Sequence, residues 1–182
     1  MKPAKCGFHW QSAIEPSQMK PILIIDFEAE TDNRGRMFPV EIGLCQPGKQ
    51  PKSALIRPLN DWVTDSAKIF NEALLTQARA HGQDADQIAR QIRTLAEKYT
   101  LVSDAVFIDR PLLNRLMSTI SSSYKSEMTE FFPLLQHLAN QRGLSQAQVN
   151  KWIAEIDEMR DTAHRAGEDA RVRADLLAKV IS

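Results

Sequence analysis

The residues best suited to chemistry are Asp26 and Glu28 of the triplet Asp26-Phe27-Glu28, Asp109, and the pair His164 and Asp169. Asp26 follows the apolar run Ile22-Leu23-Ile24-Ile25, and Asp169 shares a helical stripe with Val172, Leu176 and Val180. Carboxylates directed into a protein need a counter-charge, and a divalent cation supplies one. Strand side chains alternate in direction, so Asp26 and Glu28 share a face with Cα atoms about 6 to 7 Å apart. Catalytic metal pairs lie about 3.5 to 4 Å apart, a span that two such side chains and a third carboxylate can bracket. The triplet also suits a strand end emerging into solvent. Asp109 is placed just past a strand at the start of a helix, where α/β sites gather, although an Asp there can equally cap the helix. Asp104 is a rival for the same role. His164 precedes Asp169 by five residues, about 140° round an ideal helix, so it meets that acid only from a preceding loop or an irregular first turn. Its ring titrates near neutrality and suits proton transfer, though a hydrogen-bonded surface histidine is the plainer alternative.

Positioning these residues requires a sheet. Pro21 to Phe27 reads as a buried central strand, the turn-rich segment from Glu30 to Arg36 as a loop, and Phe38 to Cys45 as a second strand. Pro47-Gly48 breaks the chain before a third strand, Ser53 to Arg57, which Pro58 closes. Asp84 to Lys98 carries Ile88, Ile92 and Leu95 at helical spacing, and Thr100 to Ser103 returns as a strand. Pro111 to Ile120 reads as a helix with its proline in the first turn. Phe131 to Ala139 is apolar and ambiguous. Ser145 is placed to cap a helix bearing Val149, Trp152 and Ile153, and the Asp169 stripe forms the last helix. A meander followed by alternating helices and strands predicts an α/β fold with a mixed sheet.

The 182 residues suit one domain with a single core. Lys plus Arg and Asp plus Glu balance at 23 each, so a polyanion must be held by local charge or by metal rather than by a basic surface. Two cysteines predict no disulfide framework, and Cys6-x-x-His9 lacks the second ligand pair of a zinc site. No apolar run approaches the roughly 20 residues of a spanning helix, so a cytoplasmic protein with no membrane association is expected. Residues 1–18 show no periodicity and are expected to be a poorly ordered N-terminal extension, with the functional domain covering 19–182.

These segments together resemble the DEDDh branch of the DEDD 3'-to-5' exonuclease superfamily, which includes polymerase proofreading subunits, ribonuclease T and oligoribonuclease. Ile25-Asp26-Phe27-Glu28-Ala29 looks like its first motif, and Phe38-Pro39-Val40-Glu41-Ile42-Gly43 like the strand that follows. Val102 to Asp109 looks like the second motif, and His164-Arg165-Ala166-Gly167-Glu168-Asp169-Ala170 like the third, with the family's four residues between His and Asp. The resemblance implies a ribonuclease H-like fold and two Mg2+ or Mn2+ ions held by Asp26, Glu28, Asp109 and Asp169. It implies His164 as general base, the 3' end of single-stranded DNA or RNA as substrate, and a nucleoside 5'-monophosphate as product. Ala29, Phe70, Asn71, Arg110 and Arg165 are the implied substrate contacts; Arg57, Arg110, Arg115 and Arg165 are candidates for backbone phosphate contacts and could equally be solvated surface residues. Phe70-Asn71 stands where many relatives carry His-Gly, and Glu30 and Asp32 add negative charge that would weaken phosphate binding unless the chain turns it away. The rival reading is a binding module on the same fold that recognises nucleic acid or protein without cleaving. A second rival is a structural module whose Trp152 helix mediates assembly, with the acids serving as caps. That stripe is more simply core, although one exposed edge could support a homodimer, as in several relatives.

Overall fold

A computed structural model of the chain describes residues 20–32, 34–63, 70–158 and 165–182. The N-terminal extension and the Cys6-x-x-His9 spacing lie outside them. Among the described residues, six helices flank a six-stranded mixed sheet of order β4-β3-β2-β1-β5-β6. The strands are β1 (Ile22–Thr31), β2 (Met37–Cys45), β3 (Lys52–Arg57), β4 (Gln83–Asp84), β5 (Thr100–Ser103) and β6 (Thr129–Glu130). The helices are α1 (Glu72–His81), α2 (Ala85–Lys98), α3 (Val106–Met117), α4 (Phe131–Gln141), α5 (Gln146–Glu158) and α6 (Ala166–Ile181). The expected antiparallel meander is β1-β2-β3, and β5 pairs parallel to β1 on its other edge. β6 then adds in parallel to β5. The fold is α/β with the mixed sheet that the residues predict, and it is the ribonuclease H-like arrangement that the resemblance implies.

Being central, β1 is covered on both sides. Leu23, Ile25 and Phe27 join the core formed with α1, α2 and α3, whereas Ile24 joins the core formed with α4, α5 and α6. By the same alternation Asp26 and Glu28 fall on the α6 side. Helix α6 packs directly on β1 and β2. This approach needs Gly43, which pairs with Asp26 across the ladder. A Cβ at position 43 would lie 1.9 Å from the carbonyl oxygen of Ala166, far inside van der Waals contact. A side chain there would therefore push the start of α6 off the sheet. Between Glu28 and Ala29 the register against β2 shifts, placing an irregularity beside the acidic pair and next to Pro39, which cannot donate to the ladder.

Several elements differ from expectation. Helix α1 carries only a narrow buried side of Leu74, Leu75 and Ala78, too short a signal to separate from a loop. Its start is fixed by the Asn71 side chain, which accepts from the Leu74 amide at 3.0 Å. Helix α3 begins at Val106, five residues before Pro111, so the proline lies in the second turn and Asp109 inside the first. Asp109 is thus not a cap: the N-cap residue is Ala105, whose side chain makes no capping bond. Ser103 orders this start, because its hydroxyl accepts from the Ala105 amide at 2.9 Å and donates to the Asp109 carboxylate. Phe131 to Ala139 resolves as helix α4, and Ser145 caps α5 by accepting from the Gln148 amide at 3.3 Å.

Candidate metal-binding nuclease site

The acidic site is built where β1, the β5–α3 junction and the first turn of α6 meet. Asp26 and Glu28 come from β1, and Asp169 from the buried face of α6, where it is 8% exposed. One carboxylate oxygen from each of these three residues lies within 4.8 Å of the other two. Asp109, which is 2% exposed, stands beside them but turns its carboxylate to the Ser103 hydroxyl. Its charge nevertheless reaches Asp26.

Crowding of carboxylates has a measurable consequence. Burial, then the neighbouring Asp109, Asp169, Asp104 and Glu28 carboxylates, push the Asp26 carboxyl from 3.8 up to about 9. Burial likewise lifts Asp109 to about 7, with Asp104 and Glu28 adding to the rise while Ser103 and the Phe27 backbone oppose it. Acids brought together at this cost bind either protons or a cation. The donor set is entirely carboxylate oxygen, which suits hard ions such as Mg2+ and Mn2+ and not a thiophilic metal.

The other acids near β1 are turned to structural use. Glu30, 1% exposed, accepts from the backbone amides of Phe70 and Asn71 at 2.7 Å each, tying the segment before α1 to the end of β1. Asp32, 2% exposed, accepts from the Arg34 and Arg36 amides at 2.9 and 2.8 Å and from the Arg36 side chain at 2.8 Å. Burial would raise the Asp32 pKa, but the Arg36 and Arg34 amides and the Arg36 side chain outweigh it and hold the carboxyl at about 2. Both carboxylates thus accept from donors within the protein, and Asp32 is in addition ion-paired with Arg36.

The residues that the resemblance implies as substrate contacts have the following surroundings. Phe70 is 69% exposed, while the Asn71 side chain is committed to α1. Ala29 is half-buried next to Glu28. Arg165 grips the buried Glu41 with two bonds of 2.9 and 2.8 Å, and the hydrogen bonds and charge of Glu41, with the nearby Glu28, hold its guanidinium above the ordinary value. Arg110 donates to the Met128 carbonyl at 2.9 Å, Arg57 to Asp84 at 2.7 Å, and Arg115 to the Met37 carbonyl at 2.7 Å. His164 lies outside the described residues. Phe107, in the first turn of α3 and 81% exposed, escaped notice in the sequence. Its position two residues before Asp109 was the available signal.

No protein-family profile matches the sequence, and no curated protein matches it either. Solved structures do. The chain superposes on a 3'-exonuclease engaged in 3'-end specific recognition of a histone mRNA stem-loop with a TM-score of 0.57 and 13% identity, over 90% of this chain and 64% of that one. It superposes on the nuclease domain of 3'hExo, a DEDDh family member bound to rAMP, with a TM-score of 0.53 and 13% identity, over 91% of this chain and 93% of that one. The fold is shared with 3'-exonucleases. E. coli Exonuclease I in complex with a dT13 oligonucleotide gives a TM-score of 0.53 at 14% identity, over 89% of this chain and 41% of that one. The chain therefore spans less than two thirds of two of these three proteins, and at such identities the likeness establishes architecture alone.

Proposed function

We propose that the chain is a divalent-metal-dependent 3'-5' exonuclease that removes nucleoside 5'-monophosphates from the 3' end of single-stranded DNA or RNA. The observation that supports this most is the convergence of Asp26, Glu28 and Asp169 within 4.8 Å, on a fold shared with 3'-exonucleases. Asp26, Glu28, Asp169 and Asp109 would hold two Mg2+ or Mn2+ ions, which when bound lower the pKa of water and stabilise the leaving 3' oxygen.

The chain's own residues would do the rest. His164 is assigned as the general base that takes the proton from the attacking water, a task suited to a group titrating near neutrality. Ser103 holds the Asp109 carboxylate in one orientation. The exposed rings of Phe70 and Phe107 offer faces on which unpaired bases can stack, a sequence-tolerant contact available to a single strand. Arg165, kept beside Glu28 by Glu41, and Arg110 are the candidates for the scissile and adjacent phosphates, with Ala29 letting the backbone of the terminal nucleotide come close. The functional domain is taken as 19–182, working in the cytoplasm, and homodimerisation belongs to the same proposal. Among the described residues no helix is long and apolar enough to cross a membrane.

The test is a panel of labelled single-stranded DNA and RNA oligonucleotides, dinucleotides included, incubated with Mg2+, with Mn2+ or with chelator. Shortening from the 3' end with either ion and none with chelator is expected. A folded protein that binds these strands and shortens none of them would instead favour the non-cleaving module.

A further inference from the structure

The α6 stripe that carries Asp169 continues one turn later through Arg173, a cation where the pattern calls for an apolar side chain. Arg173 is 6% exposed. Its Nε donates to Asp104 Oδ2 at 2.7 Å, and its guanidinium lies 5.9 and 5.7 Å from the ring centroids of Phe131 and Phe132. Asp104 occupies the β5–α3 junction directly after Ser103, whose hydroxyl holds the Asp109 carboxylate. The ion pair thus bridges the two elements that deliver Asp109 and Asp169. It also involves the one further carboxylate whose charge reaches both Asp26 and Asp109.

We propose that Arg173 is a positioning and charge-balancing residue that keeps Asp104 out of the acidic site, so that this fifth carboxylate adds neither a ligand nor an uncompensated charge to the cluster. The inference rests on the cluster being a cation site. A buried charge is retained only with a partner, and a buried ion pair by itself stabilises little compared with well-packed apolar residues, so the consequence of the pair is sought at the site it adjoins. With Arg173 in place the cluster keeps a defined charge. Without it, Asp104 makes the site more negative and is free to swing toward bound metal.

The signs of a double-mutant cycle separate this role from a purely structural one. Mn2+ binding is measured by calorimetry and by the rise in Tm that Mn2+ causes, for the full chain and for Arg173→Met, Asp104→Asn and the double variant. Arg173→Met is expected to lower the half-saturating Mn2+ concentration on the order of tenfold, and Asp104→Asn to raise it by a similar factor, as one charge near a divalent ion implies. The double variant should return close to the unsubstituted chain. If all three variants bind Mn2+ more weakly, or all bind it as the unsubstituted chain does, the pair is only a structural brace and the inference is overturned. Loss of a whole Mn2+ equivalent in Asp104→Asn would also overturn it, because Asp104 would then be a ligand. Should Arg173→Met not fold, Asp104→Asn and the double variant decide: a double variant that regains the Mn2+ binding lost in Asp104→Asn supports the inference, and one that binds no better than Asp104→Asn overturns it. An unsubstituted chain that binds no Mn2+ overturns the nuclease reading as well, whereas binding that the variants leave unchanged overturns this inference only.

Discussion

Asp26 sits at the point of greatest electrostatic stress in the site, and its titration gives a direct test of that arrangement. In the cation-free protein its folded pKa of about 9 lies above the ordinary value of 3.8, so between these limits the folded state holds a proton that the unfolded chain has released. Stability therefore falls as pH rises across that window. Thermal denaturation in chelator should show Tm declining from pH 5 to pH 9, and Asp26→Asn should flatten the decline. Asp26→Ala should reduce cleavage by at least ~100-fold, the scale of a lost metal ligand, while leaving a folded protein whose Tm at pH 8 in chelator is no lower. Retained cleavage would remove Asp26 from the ligand set. Asp26, Glu28 and Asp169 were legible in the sequence because strand alternation and a helical stripe are local patterns. The partners of Glu30, Arg173 and Arg165 were not, since these bonds join residues separated by 40, 69 and 124 positions. Only the folded chain brings such pairs together.

Among the elements, α6 decides whether the site closes. It carries Asp169, and its first turn lies against the backbone of β2 at Gly43. Gly43→Ala should displace that turn, separate Asp169 from Asp26 and Glu28, and reduce both the Tm and the gain in Tm that Mn2+ produces. An unaltered Mn2+ response in this variant would mean that the helix start does not set the carboxylate spacing. Strands β1, β2, β3 and β5 and helix α2 could be read from their apolar runs, and Ile42-Gly43 stood out as part of the second-strand pattern. Helix α1 could not, because three buried residues over ten give no clear periodicity and its start depends on a single Asn71 cap. The start of α3 was misplaced because Pro111 suggested a first turn, whereas the Ser103 hydroxyl organises that turn five residues earlier. The two-residue strands β4 and β6 exist through their neighbours and leave no pattern of their own.

For the whole molecule, the proposed metal site would have protons and cations compete for one cluster of carboxylates, which would link metal binding, pH and stability. Mn2+ should raise the Tm more at pH 8 than at pH 6, because fewer protons must then be displaced from Asp26 and Asp109. Equal shifts at both values would place the binding elsewhere. The balanced charge of the chain leaves little general attraction for a polyanion, so the proposed nucleic-acid substrate would be held by the cations and the few groups around the site. Fold class was predictable because the meander and the strand-helix-strand unit constrain the topology strongly, whereas the preferred strand depends on side-chain placement around the site. The proposed metal-dependent hydrolysis from a free 3' end is tested by following 5'-labelled single-stranded RNA and DNA with the purified chain, in Mn2+ and in chelator, beside Asp26→Ala. A ladder shortening from the 3' end with release of nucleoside 5'-monophosphates is expected in Mn2+ alone, and none from the variant. Shortening in chelator, or intact RNA and DNA in Mn2+ while the protein is folded, would contradict it.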